Sequence, residues 1–245
     1  MEPPYYFLTK DGKSKILWQV QDYHNKDGAI KKEDIEAAKN GSQLKTAYKR
    51  DALIFAPDRI ELIEGFKRGP QSVLLKDAMY IIGRLGITKE SIVLDAGTGS
   101  GSMAAYLSLY AKKVISFEIK EEFLTIAKKN LEKINADNIE IINDSVENIK
   151  KHSSEKFDAV FLDVTRPWEM LDLIYDSLKE GAYACFYLPN MTQATEIANA
   201  LGEKFHQMET VEMIKRDWNI GGRVAKPEKD LLHTAFLMFA RKLQS

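Results

Sequence analysis

The sequence lacks the features that mark disulfide-bonded, membrane-spanning and secreted proteins. Cys185 is its single cysteine, so no disulfide can form within the chain and we expect a reducing, cytoplasmic setting. No apolar run reaches the roughly 18–20 residues that a membrane-spanning helix needs. The first residues also lack the basic and apolar regions of a signal peptide, so we expect none.

A basic excess, which is usual in nucleic-acid binders, is missing as well. The chain carries 35 lysines and arginines against 36 aspartates and glutamates, a net charge of −1. A phosphate-binding surface would therefore have to be local, and charge neither suggests nor excludes RNA. The hydrophobic fraction of 44% in 245 residues is ample for a packed core. That length fits one medium α/β domain with a small appendage.

The N-terminal region has the pattern of a small β-rich domain over residues 1–56. Residues 5–8 and 16–20 are predicted to form a hairpin around Asp11 and Gly12, and residues 53–55 a last strand. Residues 57–66 are predicted to be helical, with Pro57 in the first turn. The second domain is predicted to span residues 57–245.

From residue 76 onward, helical and strand patterns alternate, which predicts a parallel sheet with right-handed crossovers. Residues 210–215 and 234–240 are strand-like with no helix between them, which indicates an antiparallel edge. This order resembles the seven-stranded, Rossmann-like α/β sheet of class I methyltransferases that use S-adenosylmethionine (SAM). The predicted strands are residues 92–94, 114–117, 139–142, 159–162 and 183–188, and the predicted helices are residues 76–85, a segment after 101, 120–134, 170–178 and 194–201.

A glycine-rich loop follows the first strand of this series. Glycine lets the backbone turn sharply and approach a ligand closely. The spacing is Gly-x-Gly-x-Gly, whereas dinucleotide-binding loops have Gly-x-Gly-x-x-Gly. An acid, Asp95, precedes the loop and would favour the cationic amino group and sulfonium of SAM over a pyrophosphate. The loop therefore predicts SAM binding, with S-adenosylhomocysteine as product and no metal. The expected contacts are Asp95, Gly97, Gly99, Ser100, Gly101, Ser102 and Met103.

Acids at the ends of the next strands extend this predicted site, because ligands bind at the carboxyl ends of parallel strands. Glu118 could accept hydrogen bonds from both ribose hydroxyls, and Asp144 could accept one from the adenine amine. Phe123 is placed to pack near the adenosine. Asp144 could instead cap the helical segment that begins at Ser145, and Phe123 could be a core residue.

Asp163 ends the fourth strand, where the transferred methyl group would lie, and Pro167-Trp168 follows it. An acid followed by a proline–aromatic element is typical of methyltransferases that act on nucleobase amines. A ring nitrogen of adenine needs no strong base, so alignment would supply most of the catalysis. A carboxylate that accepts from the exocyclic amine would offset the developing positive charge. Asp163 is the candidate for this role; the alternatives are a helix cap for Asp163 and a core position for Trp168.

With these motifs, most of the chain resembles the tRNA (adenine-N1)-methyltransferases of the TrmI type. The shared elements are Arg68-Gly69-Pro70-Gln71 with Lys76-Asp77, Asp95–Gly101, Phe117-Glu118-Ile119, Asp163 with Pro167-Trp168, Tyr187-Leu188-Pro189-Asn190 with Gln193, Arg216 with Trp218, and Lys226-Pro227 leading into His233-Thr234-Ala235-Phe236-Leu237. Gly28-Ala29-Ile30 and Gly41-Ser42 also resemble that family's small β domain.

The resemblance implies methylation of N1 of adenosine 58 in the tRNA T-loop, sometimes with the neighbouring purine at 57, by a homotetramer. It implies that Asp163 contacts the target adenine, that Tyr187 lines the pocket as a second catalytic-site residue, and that Gln71 lies by the cofactor. Because the target adenine is buried in tRNA, it would have to be flipped out.

Some positions depart from the family pattern or stay open. Leu74-Leu75 stand where the family usually has an aromatic residue or His followed by Pro, and Thr165 stands where it favours Pro. Arg166 could contact phosphate or be solvated, and His233 is expected to be a hydrogen-bonded structural residue. Two alternative functions remain: a class I methyltransferase with another substrate, and a non-catalytic SAM- or tRNA-binding subunit.

Overall fold

A computed structural model describes residues 2–9, 14–26, 28–69, 72–221, 224–228 and 233–244. The chain divides into two compact units, Met1–Phe66 and Lys67–Ser245. This division comes after Phe66, ten residues later than the predicted domain boundary at residue 56. The predicted domain boundary stays a prediction. None of the helices within the described ranges has the length and apolar character to cross a membrane.

The smaller unit is built on an antiparallel sheet with the strand order β2-β1-β6-β5, beside a separate β3–β4 pair. The predicted hairpin is confirmed by the pairing of Tyr5 with Leu17, and its Asp11-Gly12 turn lies outside the described residues. Phe7 and Tyr23 stack with their ring centroids 4.6 Å apart in the core. The elements are β1 (Tyr5–Thr9), β2 (Ser14–Leu17), β3 (Tyr23–Asn25), β4 (Gly28–Ile30), α1 (Lys32–Ala37), β5 (Ser42–Lys45), β6 (Asp51–Phe55) and α2 (Arg59–Glu64).

Helix α2 begins two residues after Pro57, so the prediction of Pro57 in its first turn was wrong. Asp58 is the N-cap instead, because its carboxylate accepts a 2.8 Å hydrogen bond from the Glu61 backbone N–H. The Glu61 side chain accepts from the Asp58 N–H in return, also at 2.8 Å. This reciprocal pair satisfies two backbone donors at the helix start.

The larger unit contains a seven-stranded sheet in the order β12-β15-β11-β10-β7-β8-β9. Strands β7 to β11 are mutually parallel where they pair, and β15 runs antiparallel to β11 and β12. The predicted antiparallel edge is therefore confirmed. The elements are α3 (Leu75–Arg84), β7 (Ile92–Ala96), α4 (Ser102–Ser108), β8 (Lys113–Phe117), α5 (Glu121–Glu132), β9 (Ile139–Ile142), α6 (Ile149–His152), β10 (Phe157–Leu162), α7 (Leu171–Ser177), β11 (Leu178–Leu188), α8 (Met191–Ala200), β12 (Phe205–Glu212), β13 (Trp218–Gly221), β14 (Val224–Pro227) and β15 (Phe236–Lys242).

The centre of this sheet is apolar on both faces, as expected for strands that helices cover. Cys185 lies in the middle of β11, between its partners Phe161 on β10 and Phe239 on β15, and all three are fully buried. Cys185 is therefore a thiol of the hydrophobic core, and burial raises its pKa well above the ordinary value. The parallel arrangement brings the carboxyl ends of β7, β8, β9 and β10 to one edge of the sheet.

Candidate active site

The glycine-rich loop after β7 is fastened to the ends of both neighbouring strands. The Gly97 N–H donates to the Asp163 carbonyl at 3.2 Å, just past β10, and the Thr98 N–H donates to the Phe117 carbonyl at 3.0 Å, at the end of β8. The Gly99 N–H donates to Glu118 Oε2 at 2.8 Å. These bonds fix the loop across the edge of the sheet that a ligand would approach.

Helix α5 supports the loop from behind. Gly101 has φ of +83°, and a Cβ added there would lie 3.3 Å from Ala127 Cβ on α5. The buried Asn130 side chain donates to the carbonyls of Ser100 and Lys67, each at 2.9 Å, and accepts from the Lys67 N–H at 3.1 Å. Asn130 was not predicted, although a polar residue inside the apolar stripe of a helix was the signal that could have revealed it.

Asp95 is fully buried beneath the loop and does not border the cavity described below. One of its oxygens accepts a hydrogen bond from the Ser116 hydroxyl. The other oxygen, Oδ1, is buried without a hydrogen-bond partner among the described residues. Burial, together with the nearby carboxylates Asp163 and Glu118, raises the pKa of Asp95 to about 7. A cationic group at this position would relieve the cost of the unpartnered oxygen.

A cavity of about 340 Å³ opens in front of the loop. Most of the predicted cofactor residues line it, whereas Asp95, Gly101 and Tyr187 do not. Gln71 lies outside the described residues. The predicted residues that line the cavity are Gly97, Gly99, Ser100, Ser102, Met103, Glu118, Phe123, Asp144 and Asp163, and those that were not predicted include Ser72, Lys120, Ser145, Val146, Thr165 and Met170.

Hydroxyl groups connect the loop to the segment that precedes α3. The Ser72 and Ser100 hydroxyl oxygens are 2.8 Å apart, and those of Ser100 and Ser102 are 2.9 Å apart. Ser72 directly follows Gln71, which the resemblance placed by the cofactor, so its neighbourhood was indicated but the residue itself was not. This row of hydroxyls gives the cavity wall both donors and acceptors.

Two backbone N–H groups hold the carboxylate of Glu118 in place. Oε2 accepts from Gly99 at 2.8 Å, and Oε1 accepts from Lys120 at 2.9 Å. A carboxylate has about four acceptor positions, so lone pairs remain for ligand hydroxyls. Phe123 forms another part of the wall, with Lys120 Nζ 4.9 Å from its ring centroid.

Asp144 is engaged by several donors of its own segment. It accepts from the Ser145 N–H at 2.7 Å and from the Asn148 amide at 2.8 Å, and its Oδ2 lies 2.7 Å from His152 Nε2. The hydrogen bond with His152 makes the largest contribution to lowering the pKa of Asp144 to about 2. The capping residue of this helical turn is Ser145, whose hydroxyl accepts from the Glu147 N–H, so the alternative of Asp144 as N-cap was wrong.

Asp163 stands at the wall of the cavity, immediately after β10. Asp163 is exposed toward the cavity, and desolvation by the surrounding walls, followed by the charge of Glu118, raises the pKa of its carboxyl to about 6. Asp163 does not cap the following helical turn, since that turn begins at Pro167 with Arg166 as its N-cap. Arg166 is exposed and forms an ion pair with Glu169, and Trp168 packs against the core.

Tyr187 lies on the strand beside Asp163. Leu162 of β10 pairs with Phe186 of β11, so the next residues, Asp163 and Tyr187, come from adjacent strand ends. The Tyr187 side chain is buried, and its hydroxyl donates to Asp77 Oδ2 at 3.3 Å. Tyr187 does not line the cavity in front of the loop, and its place in the pocket for the target adenine stays a prediction.

His233 precedes β15 and is exposed. Its Nδ1 bonds the Glu212 carboxylate, and its Nε2 lies 3.3 Å from the Pro189 carbonyl. Both partners are acceptors, so the imidazole must carry both protons to donate twice. The predicted hydrogen bonding of His233 is confirmed, and its structural role stays a prediction.

Comparisons with known proteins agree with this geometry. The family model for the "tRNA methyltransferase complex GCD14 subunit" matches residues 66–231. The chain is 28% identical over 265 residues to the tRNA (adenine(57)-N(1)/adenine(58)-N(1))-methyltransferase TrmI of Methanocaldococcus jannaschii, covering 96% of this chain and 93% of that protein. It is 27% identical over 226 residues to the tRNA (adenine(58)-N(1))-methyltransferase TrmI of Thermus thermophilus, covering 90% of this chain and 88% of that protein.

Two solved structures are similar along nearly the whole chain. One is the tRNA (m1A58) methyltransferase TrmI from Aquifex aeolicus, with a TM-score of 0.88 and 31% identity over 99% of this chain and 98% of that one. The other is described as a SAM-dependent O-methyltransferase from Thermotoga maritima, with a TM-score of 0.89 and 27% identity over 99% of this chain and 93% of that one. The predicted class I SAM-dependent methyltransferase fold is therefore confirmed.

Proposed function

The chain belongs to the family of tRNA methyltransferase complex GCD14 subunits, and we propose that it transfers the methyl group of SAM to N1 of adenosine 58 in the tRNA T-loop. Four named relatives support this proposal: the three TrmI proteins above and the TRM61 catalytic subunit of Candida albicans, which is 34% identical over 61% of this chain and 47% of that protein. The intact glycine-rich loop and Asp163 argue against a non-catalytic subunit.

The residues around the cavity suit SAM in charge and in hydrogen-bonding capacity. When bound, SAM supplies an electrophilic methyl group on a sulfonium. Asp95 Oδ1 is buried without a hydrogen-bond partner among the described residues, which costs desolvation free energy. The ammonium group of SAM, if it lay nearby, would offset this cost. Glu118 retains acceptor capacity for the ribose hydroxyls, Asp144 and Phe123 would flank the adenine, and Gln71, Gly101 and Met103 complete the proposed cofactor set.

The observation that carries the proposal is the position of Asp163, at the cavity wall between the glycine loop and the end of β11. Asp163 would accept a hydrogen bond from the exocyclic amine of the target adenine. Its negative charge would then balance the positive charge that the ring acquires as N1 takes the methyl group. No general base is required, since the N1 lone pair lies in the plane of the ring and carries no proton.

Further parts of the proposal rest on resemblance alone. They are flipping of the adenine out of the T-loop and a homotetramer that assembles a local basic surface despite the net charge of −1. A cytoplasmic location is proposed on the single cysteine, Cys185. Light scattering of the purified protein tests the tetramer directly. A transcript with adenines at both 57 and 58, compared with each single replacement, tests whether the neighbouring purine is also methylated.

The experiment that tests the main proposal uses purified protein, methyl-labelled SAM and unmodified tRNA transcripts. We expect label in the tRNA, recovered as 1-methyladenosine after digestion, and no label when adenosine 58 is replaced by another base. Label in protein, or an equal yield from the replaced transcript, would overturn the proposal.

A hydroxyl acceptor is the second candidate, favoured by the similarity to the O-methyltransferase from Thermotoga maritima. Methylation of a hydroxyl requires removal of its proton, and a carboxylate with a pKa of about 6, as at Asp163, could accept that proton. In tRNA the hydroxyl acceptor would be that of a ribose, so fragmentation of the methylated nucleoside separates the two candidates. The methyl group stays with the base in one case and with the ribose in the other.

A further inference from the structure

A buried group of polar side chains joins helix α3 to the two strands beside it, away from the cofactor cavity. We name it the Asp77 cluster; its members are Lys76, Asp77, Tyr187 and Thr234. Asp77 is fully buried, Thr234 is 5% exposed and Tyr187 is 6% exposed. Such a set is costly to bury unless every member is bonded, so its presence needs a reason.

The two Asp77 oxygens receive three donors. Lys76 Nζ lies 2.7 Å from Oδ1. The Thr234 hydroxyl donates to Oδ2 at 2.7 Å, and the Tyr187 hydroxyl donates to the same oxygen at 3.3 Å. Lys76 Nζ also donates to the Thr234 hydroxyl at 2.6 Å and to the Met213 carbonyl at 2.6 Å. The lysine and the threonine therefore hold the carboxylate in one orientation, and the carboxylate in turn holds Tyr187.

The polarity of the tyrosine contact follows from the chemistry of its partner. An ionised carboxylate only accepts hydrogen bonds, so the phenol must donate its single proton to Asp77. Burial, followed by the charges of Asp77 and Asp163, raises the pKa of Tyr187, which keeps the phenol protonated. The ring is further restrained by Phe161, whose centroid lies 5.9 Å away.

Helix capping does not account for this arrangement. An acid in the first turn of α3 is favourable for the helix dipole at any orientation of its side chain. Asp77 instead directs Oδ2 to the hydroxyls of Tyr187 and Thr234, which lie 110 and 157 residues away in the sequence. The partner that connects this cluster to the site is Tyr187, because it lies near the end of β11, one residue past the pairing of Phe186 with Leu162, and Asp163 is the next residue after Leu162.

We propose that Asp77, fixed by Lys76 and Thr234, is a positioning residue that sets the Tyr187 ring beside Asp163 before the target base arrives. This inference rests on the proposed function, since it assigns the ring to the base side of the same site. A ring that is already held in position lowers the entropic cost of reaching the reactive geometry. Loss of the hydrogen bond from Tyr187 to Asp77 should therefore lower turnover on tRNA and leave the affinity for SAM unchanged.

A double-mutant cycle between Asp77→Asn and Tyr187→Phe tests the proposal. Tyr187→Phe removes only the hydroxyl that bonds Asp77. We expect each single variant to lower kcat/KM for tRNA by about tenfold, which is the effect of one lost hydrogen bond to a charged group. The double variant should be no worse than either single variant, and the SAM dissociation constant should stay within about twofold throughout.

Further variants keep the test informative if Asp77→Asn fails to fold. Thr234→Val, which conserves volume, should lower kcat/KM, whereas Thr234→Ser should retain it. A core substitution far from the cluster, Ile174→Val, controls for a general loss of stability and should keep kcat/KM at the wild-type value. Independent, multiplying losses in the double variant, or losses that merely follow the melting temperature, would overturn the inference.

Failure of the proposed function looks different. If the wild-type protein makes no 1-methyladenosine, the proposed function fails before the cycle is measured. If the wild-type protein is active and the two substitutions act independently, only the positioning role of Asp77 is wrong.

Discussion

The contact between Gly101 and helix α5 makes a prediction whose size can be worked out. A residue other than glycine in the left-handed region lowers the free energy of unfolding by about 1–2 kcal/mol. Replacing glycine by alanine also raises it by about 0.4–1 kcal/mol, because alanine restricts the unfolded chain. At Gly101 the new methyl group would also lie 3.3 Å from Ala127 Cβ and 3.4 Å from Leu131 Cγ. Overpacking of this kind adds roughly 1–3 kcal/mol. We therefore expect Gly101→Ala to lower the free energy of unfolding by about 2–4 kcal/mol.

Gly86 offers a matched control within the same unit. Its φ is +64°, and an added Cβ would meet no atom within 4 Å. Gly86→Ala should thus lose only the backbone part, about 1 kcal/mol, and leave SAM binding unchanged. In Gly101→Ala the loop must shift away from α5, so the SAM dissociation constant should rise about tenfold or more. Urea unfolding and calorimetric SAM titration measure both effects. Equal stability losses in the two variants, with unchanged SAM affinity, would refute the reasoning.

Three further predictions concern the carboxylates and the support of the loop. Asp163→Ala should lower kcat for tRNA about 100-fold while SAM binding survives. In the wild type, kcat should rise with pH through about 6, as Asp163 ionises. A kcat that does not change with pH in this range would contradict the role of Asp163. The pKa of Asp95 is raised from 3.8 to about 7, so its contribution to stability is full below pH 4 and is lost as pH rises through 7. Asp95→Asn should therefore gain stability over the wild type at pH 8 but not at pH 4, and should bind SAM more weakly; urea unfolding at both pH values and a SAM titration check this. Asn130→Ala leaves two carbonyls and an N–H without their partner, so unfolding in urea should show a loss of about 2–4 kcal/mol together with weaker SAM binding.

Periodicity was enough to predict the alternating core of the larger unit, because each buried strand there is a short apolar run. Strand β9 lies where it was expected, at residues 139–142, and α3 is displaced by a single residue from the predicted range. The β13–β14 hairpin was missed. Trp218 and Ile220 alternate with Asn219 in β13, but both are exposed, and a run of four residues is the shortest in which such alternation indicates a strand.

The site was predictable where its residues lie at strand ends, as do Glu118 and Asp163. It was not predictable where the function of a side chain depends on partners far away in the sequence. Asp77 was recognised only as part of a shared motif, and its bonds to Tyr187 and Thr234 arise from the packing of α3 on the sheet. The pairing of Asp144 with His152 depends likewise on the fold of the turn between them.

Alkylation of the single cysteine, Cys185, can be used to measure how often the folded chain unfolds. Only the thiolate reacts with alkylating reagents, and Cys185 is both fully buried and held in the thiol form by its raised pKa. Labelling should therefore occur only in molecules whose central sheet has come apart. The modified fraction would then count unfolding events. A cysteine introduced elsewhere on the surface would meanwhile accept a dye without competition from the native thiol.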